Sequence, residues 1–443
     1  MMRITILGFD GLDYNRIQKY IGALPAFRKL RNFIGKLEST IPPSTAPAWV
    51  SMFTGKTPAE HGIYGFINVE TRKVMNYNNI KVKKLWDYLK DLRFCVVNVP
   101  MTYPPDKSIN GLIVSGFPTP TNDFKRIVYP QEWAYILANR IGLPKDIDIV
   151  EFRKKYHRNK EEAFEYLLDL MDKRTEAYLR LLKLSEFDVF WFVFRETDVA
   201  QHFYRDEAKI LSIYKKVDEI LSKFLREMES DDWLIVASDH GHNTVKAVIY
   251  VDNLLKKVFG RNSNNLKRRI LNVLIRLAWR YTPFRRVVQC AKKVFSIEDK
   301  EVITSKVSER LIYNSDSWSI SVQDEDLKRM IIDMLKNFKV NGKKVFLYVF
   351  DSKELYRNTN VKLPDIFLIP NYGFYPLSGA KFGRDEIIGL PVDPSHNGTH
   401  TLDGVYLIYS KNNEDKIKDF ISKNRKIWEI SKIVMKIFRE RCL

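Results

Sequence analysis

The chain reads as an α/β protein with a mostly parallel central sheet flanked by helices. Three observations lead there. Short apolar runs ending in polar residues recur along the sequence, as strands buried on both faces of a parallel sheet do. Segments with partial helical periodicity lie between them. The chain has 443 residues, 45% hydrophobic and 29% charged. That suits two or three domains, or one large core with insertions, and excludes disorder as the main state.

In chain order, Ile4–Phe9 ends at Asp10, Phe94–Val99 at Pro100, and Leu112–Val114 at Ser115-Gly116. Val189–Phe194 ends near Asp198, and Leu234–Ala237 at Ser238-Asp239. Val345–Phe350, Ile366–Ile369 and Val405–Tyr409 continue the series. Between them, Ala163–Leu182 carries Phe164, Leu167, Leu168, Met171, Tyr178 and Leu182 among flanking charges, as a surface helix does. Ligands of such sheets bind beyond the carboxyl ends of the strands, where Asp10, Asp198 and Asp239 fall.

The charge balance is 73 basic against 54 acidic residues, a net +19. Such a surplus favours anionic partners and says nothing about the fold. Residues 251–300 hold more than half of it. There Leu266, Ile270, Val273, Leu274 and Leu277 follow helical spacing, with Lys267, Arg268, Arg269, Arg276 and Arg280 on other faces, until Pro283 breaks the pattern. This predicts a basic amphipathic helical insert over 246–300 and a catalytic core over 1–245 and 301–443, with 118–160 as a cap segment. The insert reads equally as a solvated lid or as a surface for an anionic membrane or polyanion. Ile427, Ile430, Val434 and Ile437, with Lys432, Lys436, Arg439 and Arg441, predict a docked terminal helix. Cys95, Cys290 and Cys442 have no paired spacing, which excludes a disulfide framework and a cysteine-rich zinc site. The N-terminus lacks signal-peptide organisation, and no apolar run is long enough to span a bilayer. The expected location is cytoplasmic, with peripheral membrane contact through the insert. The sequence leaves the oligomeric state undetermined.

Seven histidines are present, and three keep metal-ligand company. Asp198 and His202, four residues apart, share one side of a helical turn. Asp239-His240 follows a buried strand, His400 lies in Gly398-Thr-His-Thr just before another, and Asp10 ends the first. Each alone is unremarkable. Together, three carboxylates and three imidazoles suit two borderline-hard divalent ions, zinc first and manganese as the alternative. A hydroxyl nucleophile is sought in Ile41-Pro-Pro-Ser-Thr45-Ala-Pro47-Ala-Trp49-Val-Ser51, where the Thr45 hydroxyl would open a helix from Pro47 and face an anionic group with a helix N-terminus behind it. Without the metal ligands, an ordinary N-cap is the better reading.

These motifs resemble the alkaline phosphatase superfamily, specifically its type I phosphodiesterase/nucleotide pyrophosphatase branch. The resemblance rests on Gly8-Phe-Asp10-Gly11, Thr45 to Ile63, Asn98-Val-Pro100-Met-Thr-Tyr103-Pro-Pro105, Thr197-Asp198-x-x-Gln201-His202, Ser238-Asp239-His240-Gly241 and Gly398-Thr-His400, all in the family's order. It implies an alkaline-phosphatase-like core with a two-metal site. Asp198, His202 and His400 would hold one ion. Asp10, Asp239 and His240 would hold the other, with Thr45 bound to it as the nucleophile. It also implies hydrolysis of a phosphodiester or nucleotide-type pyrophosphate bond through a phosphothreonine intermediate, on a phosphorylated small molecule or nucleotide-like substrate. Trp49 stands where sulfatases carry arginine, and the Gly-Asn-Ser-Glu motif of cofactor-independent phosphoglycerate mutases is absent. The family's asparagine after His-Gly-Ile is replaced by Tyr64-Gly65-Phe66, with Asn68 the nearest amide. His242 and His396 read as residues outside the ligand set, His396 being the rival of His400. The same site would also serve a phosphotransferase or a phosphomonoesterase, and a polyanion- or membrane-binding protein with a structural metal site is the reading from another class.

Overall fold

The computed structural model describes residues 2–68, 71–184, 186–259, 304–308, 311–357, 359, 361–418, 420–421 and 424–439. Two compact units are formed, one from 1–63, 75–242 and 400–443, the other from 64–74 and 243–399.

The larger unit is built on nine strands: β1 (Ile4–Phe9), β2 (Ile34–Glu38), β3 (Phe94–Val99), β4 (Gly111–Ser115), β5 (Val128–Tyr129), β6 (Val189–Phe194), β7 (Trp233–Ala237), β8 (Asp403–Ser410) and β9 (Asn424–Lys426). Their order is β9-β2-β8-β7-β1-β6-β3-β4-β5. β7, β1, β6, β3 and β4 run parallel, as the apolar runs predict. β8 runs antiparallel to both β2 and β7, and β5 antiparallel to β4. β1, β3, β6 and β7 are buried along their whole length, which is why they carry no polar alternation.

The two faces of β1 meet different helices. Leu7 and Phe9 enter a large core shared with helices Lys160–Leu182 and Glu207–Glu227. In it Phe9 stacks on Phe194 at 5.0 Å and Tyr178 on Phe192 at 4.4 Å. Asn159 starts the first of these helices by accepting the N–H of Glu161 and Glu162, and Asp206 starts the second by accepting that of Lys209. On the other face, Gly8 lies against the indole of Trp49 in the fully buried helix Thr45–Thr54. The terminal helix Glu429–Arg439 docks there, burying Ile430, Ile433, Val434 and Ile437, with the Ser431 hydroxyl donating to the Met52 carbonyl.

The smaller unit holds an antiparallel five-stranded sheet, in the order Thr304–Ser308, Leu311–Asn314, Ser319–Val322, Ile366–Pro370, Phe346–Asp351. The apolar runs near 345 and 366 are therefore not members of the parallel sheet. An apolar run reports burial and carries no strand direction, and Leu347 and Tyr348 on the edge strand are in fact exposed. A second sheet pairs Phe374–Leu377 and Ile388–Gly389 with Ala247–Tyr250, which leads into helix Val251–Phe259. Helix Glu325–Asn337 contributes Ile331 and Leu335 to this unit's core. The stripe from Leu266 to Leu277, with the rest of 260–303, lies outside the described residues. Among the described residues no helix is long and apolar enough to cross a membrane.

Asp13 ties the strand ends of the larger unit together. It caps helix Tyr14–Tyr20 by accepting from Arg16 N–H. It also accepts the backbone N–H of His242 at 3.1 Å and the Thr401 hydroxyl at 3.2 Å.

Two tests follow from this packing. In Gly8→Ala the added Cβ overlaps the Trp49 ring and lies 2.8 Å from Val193 Cγ2. Overpacking of this kind costs about 1–3 kcal/mol, which urea denaturation should register. Burial pushes the Asp13 carboxyl up to about 6. A raised carboxyl favours the folded state below its unfolded pKa, and that contribution is lost as pH rises through about 6. Between pH 4 and pH 7 the wild type should therefore lose about 2 kcal/mol relative to Asp13→Asn, read from the pH slope of their unfolding free energies.

Candidate metal centre

The carboxyl ends of β1, β6 and β7 deliver the first carboxylates. Asp10 follows β1, and its backbone carbonyl accepts the Thr197 hydroxyl. Gly11 then turns the chain at φ +71°, where a side chain would be strained. A Cβ at Gly11 would also lie 3.0 Å from Asp198 Oδ1, so glycine lets the turn approach that carboxylate. Gly11 N–H donates to Asp239 Oδ1 at 3.1 Å, and Gly11 C=O accepts from Gln201 Nε2 at 2.7 Å. Asp198 and His202 stand one turn apart on helix Glu196–Phe203. The root of that helix is held by a buried ion network, Arg174 to Glu196 at 2.8 Å and Arg195 to Asp146 at 2.5 Å.

Two imidazoles show which nitrogen they offer. His240 Nδ1 lies 3.0 Å from the Gly241 carbonyl, and His400 Nδ1 lies 2.9 Å from the Pro43 carbonyl. A carbonyl only accepts, so each Nδ1 carries a proton, and in the neutral imidazole each Nε2 presents its lone pair. His240 Nε2 lies 3.4 Å from Asp10 Oδ1, 3.2 Å from Asp239 Oδ2 and 3.4 Å from Thr45 Oγ1. His400 Nε2 lies 3.0 Å from His202 Nε2 and 3.5 Å from Asp198 Oδ1. Lone pairs aimed at carboxylates and at one another repel unless a cation sits among them.

The electrostatics agree. Burial, reinforced by Asp239 and Asp198, pushes the Asp10 carboxyl well above the usual range. Burial does the same to Asp239. Burial also opposes ionisation of Asp198, but His202 and His400 outweigh it and hold this carboxyl well below the usual range. Burial and the neighbouring His400 depress His240. Asp10 Oδ1, Asp198 Oδ1, Asp239 Oδ2 and both ring nitrogens of His242 are buried without a hydrogen-bond partner among the described residues. Buried polar atoms are seldom left so. Hard oxygens with imidazole nitrogens suit a divalent ion of the zinc or manganese kind, so the residues fit a metal. Two groups have their ligand atoms within 4.8 Å of one another: Asp198, His202, His242 and His400, and Asp10, Asp198 and His240.

Of the hydroxyls between Ser44 and Ser51, that of Thr45 faces His240, whereas Ser51 Oγ lies 2.9 Å from His61 Nε2. The helix begins at Thr45 itself, with Ser44 as the extended residue before it, two residues earlier than the start expected at Pro47. Thr45 is thus in the first turn, whose N–H groups have no intrahelical acceptor. Among the remaining histidines, His157 is exposed on helix Ile149–Arg158. His396 lies in the smaller unit, its ring 5.0 Å from that of Phe382. Asn68 is also in that unit, accepting from Thr71 N–H at 2.8 Å.

Sequence reasoning missed three contributors. Trp49 Nε1 donates to Asp10 Oδ2 at 3.3 Å and so orients that carboxylate. Asp13 holds the backbone beside His242. His242 itself belongs to the first ligand group. Its signal was present, because His240 and His242 are two residues apart at a strand, and such residues share a face.

The family model of type I phosphodiesterase / nucleotide pyrophosphatase matches residues 4–403. No curated protein shows significant sequence similarity. Among solved structures, the fold is similar to phosphonoacetate hydrolase from Sinorhizobium meliloti 1021 in complex with phosphonoformate, with 16% identity, a TM-score of 0.60 and coverage of 97% of this chain and 94% of that one. It is also similar to murine ectonucleotide pyrophosphatase / phosphodiesterase 5, with 12% identity, a TM-score of 0.55 and coverage of 99% and 95%. At such identities the structures speak for the alkaline-phosphatase-like fold alone. The family match spans most of the sequence, including every motif from Asp10 to His400, and the chain belongs to the type I phosphodiesterase / nucleotide pyrophosphatase family.

Proposed function

We propose that this phosphoester hydrolase uses two divalent metal ions, zinc or manganese, to cleave a phosphodiester or nucleotide-type pyrophosphate bond, with Thr45 as nucleophile. The observation that carries the reading is the Thr45 hydroxyl in the first turn of a helix, 3.4 Å from His240 Nε2, beside carboxylate and imidazole atoms that lack partners among the described residues. Asp198, His202 and His400 would hold one ion, and Asp10, Asp239 and His240 the other. Bound there, divalent ions supply charge neutralisation and lower the pKa of a nearby hydroxyl.

The chain's own residues do the rest. The free N–H groups at the start of helix Thr45–Thr54 face an incoming phosphoryl group with the positive end of the helix dipole. Thr45 Oγ1 attacks phosphorus in line, and the bond to the leaving oxygen breaks. The phosphothreonine so formed is then hydrolysed by water from the opposite side, which restores the hydroxyl. Trp49 keeps Asp10 oriented, and the Nδ1–H bonds of His240 and His400 to backbone carbonyls keep their Nε2 atoms directed inward. The nucleotide class draws support from murine ectonucleotide pyrophosphatase / phosphodiesterase 5, whose inactive threonine-to-alanine variant is found in complex with AMP.

Thr45→Ala should lower turnover of bis-p-nitrophenyl phosphate by about 10³-fold or more while circular dichroism and metal content stay unchanged. Turnover equal to wild type would refute the nucleophile. Chelation should abolish hydrolysis, and added zinc or manganese should restore it. A panel of diesters, monoesters and nucleotides, run with and without alcohol acceptors, separates hydrolysis from phosphotransfer.

A further inference from the structure

We propose that His242 is a direct ligand of the ion held by Asp198, His202 and His400. That position then has four protein donors, one carboxylate oxygen and three imidazole nitrogens, where the family resemblance implies three. The inference deepens the metal-site reading and rests on it.

His242 is 2% exposed, and neither ring nitrogen has a hydrogen-bond partner among the described residues. A neutral imidazole carries one donor and one acceptor, and native structures rarely bury both unpaired.

With ligand bonds of 2.0–2.2 Å, the edges of a tetrahedral coordination shell measure roughly 3.4 Å. Nε2 of His242 lies 3.7 Å from Asp198 Oδ1. The corresponding distances to the same oxygen are 3.4 Å for His202 and 3.5 Å for His400, and the Nε2 atoms of those two are 3.0 Å apart. The His242 ring centroid is 4.7 Å from that of His202 and 5.8 Å from that of His400. His242 thus stands only slightly farther from the shared oxygen than His202 and His400 do.

The carboxylate of Asp13 accepts the His242 backbone N–H and the hydroxyl of Thr401, the residue after His400. One buried group therefore sets the strands carrying both imidazoles, and a donor held this rigidly loses little freedom on binding an ion. Four protein donors complete a four-coordinate shell, whereas catalytic zinc sites commonly keep one corner open.

The test uses the full chain, wild type and His242→Phe, the latter filling the ring's space without a donor. Zinc content after dialysis is measured by mass spectrometry, and zinc affinity by competition with a chromogenic chelator. Loss of an outer partner weakens a metal by about 10–100-fold, so loss of a ligand should weaken one of two zinc ions by more than about 100-fold and leave the other in place. Two ions held with wild-type affinity by His242→Phe would overturn the inference while leaving the metal site standing. A wild type that binds no zinc would overturn both. Should His242→Phe not fold, long-range ¹H–¹⁵N spectra of ¹⁵N-histidine-labelled wild type decide the matter. Zinc should shift a His242 ring nitrogen along with those of His202, His240 and His400, and a His242 signal indifferent to zinc would refute the assignment.

Discussion

Three carboxylates and four imidazoles converge in a buried place, and that convergence is the constraint on which the rest of the larger unit depends. Like groups repel, and burial raises the cost of every charge placed there. Burial pushes the carboxyls of Asp10 and Asp239 well above the usual range. His240 and His400 respond by fixing their protons on backbone carbonyls and turning bare nitrogens inward. Such an arrangement persists only if the surrounding fold holds it, and a cation turns its repulsions into bonds.

The holding is done largely by the backbone. Strands β1, β6 and β7 are pinned side by side in parallel register, so the residues that follow them emerge together. Gly11 lets the turn after β1 lie against Asp198, and its own N–H and C=O are taken by Asp239 and Gln201. Gly8 admits Trp49 against the sheet, and that same indole reaches Asp10. Packing and site are therefore coupled through single residues. Gly8 is thus linked through Trp49 to a candidate ligand although position 8 carries no side chain.

The basic character of the chain divides in the same physical terms. The site is rich in carboxylates, and its attraction for phosphate would come from bound ions and from the start of helix Thr45–Thr54. The net +19 charge is concentrated in sequence around 251–300, away from every ligand motif.

Fold class, family and most of the clustered residues are legible in the linear order of the chain. Strands buried on both faces leave continuous apolar runs, and strand-end motifs sit at short, fixed offsets from them. Asp10, Asp198, His202, Asp239, His240 and His400 were legible for that reason, as was the docked terminal helix from its 3.6-residue spacing. Only the tertiary structure decided what depends on residues distant in the chain. It assigned the apolar runs near 345 and 366 to a separate antiparallel sheet, since an apolar run has no direction. It revealed Trp49 as the partner of Asp10 and Asp13 as the clamp between two strands, because hydrogen bonds spanning 39 and 229 positions leave no local pattern. It also brought His242 to 3.7 Å from Asp198. The two-residue spacing from His240 hinted at a shared face, but burial without a hydrogen-bond partner among the described residues is a property of the folded neighbourhood.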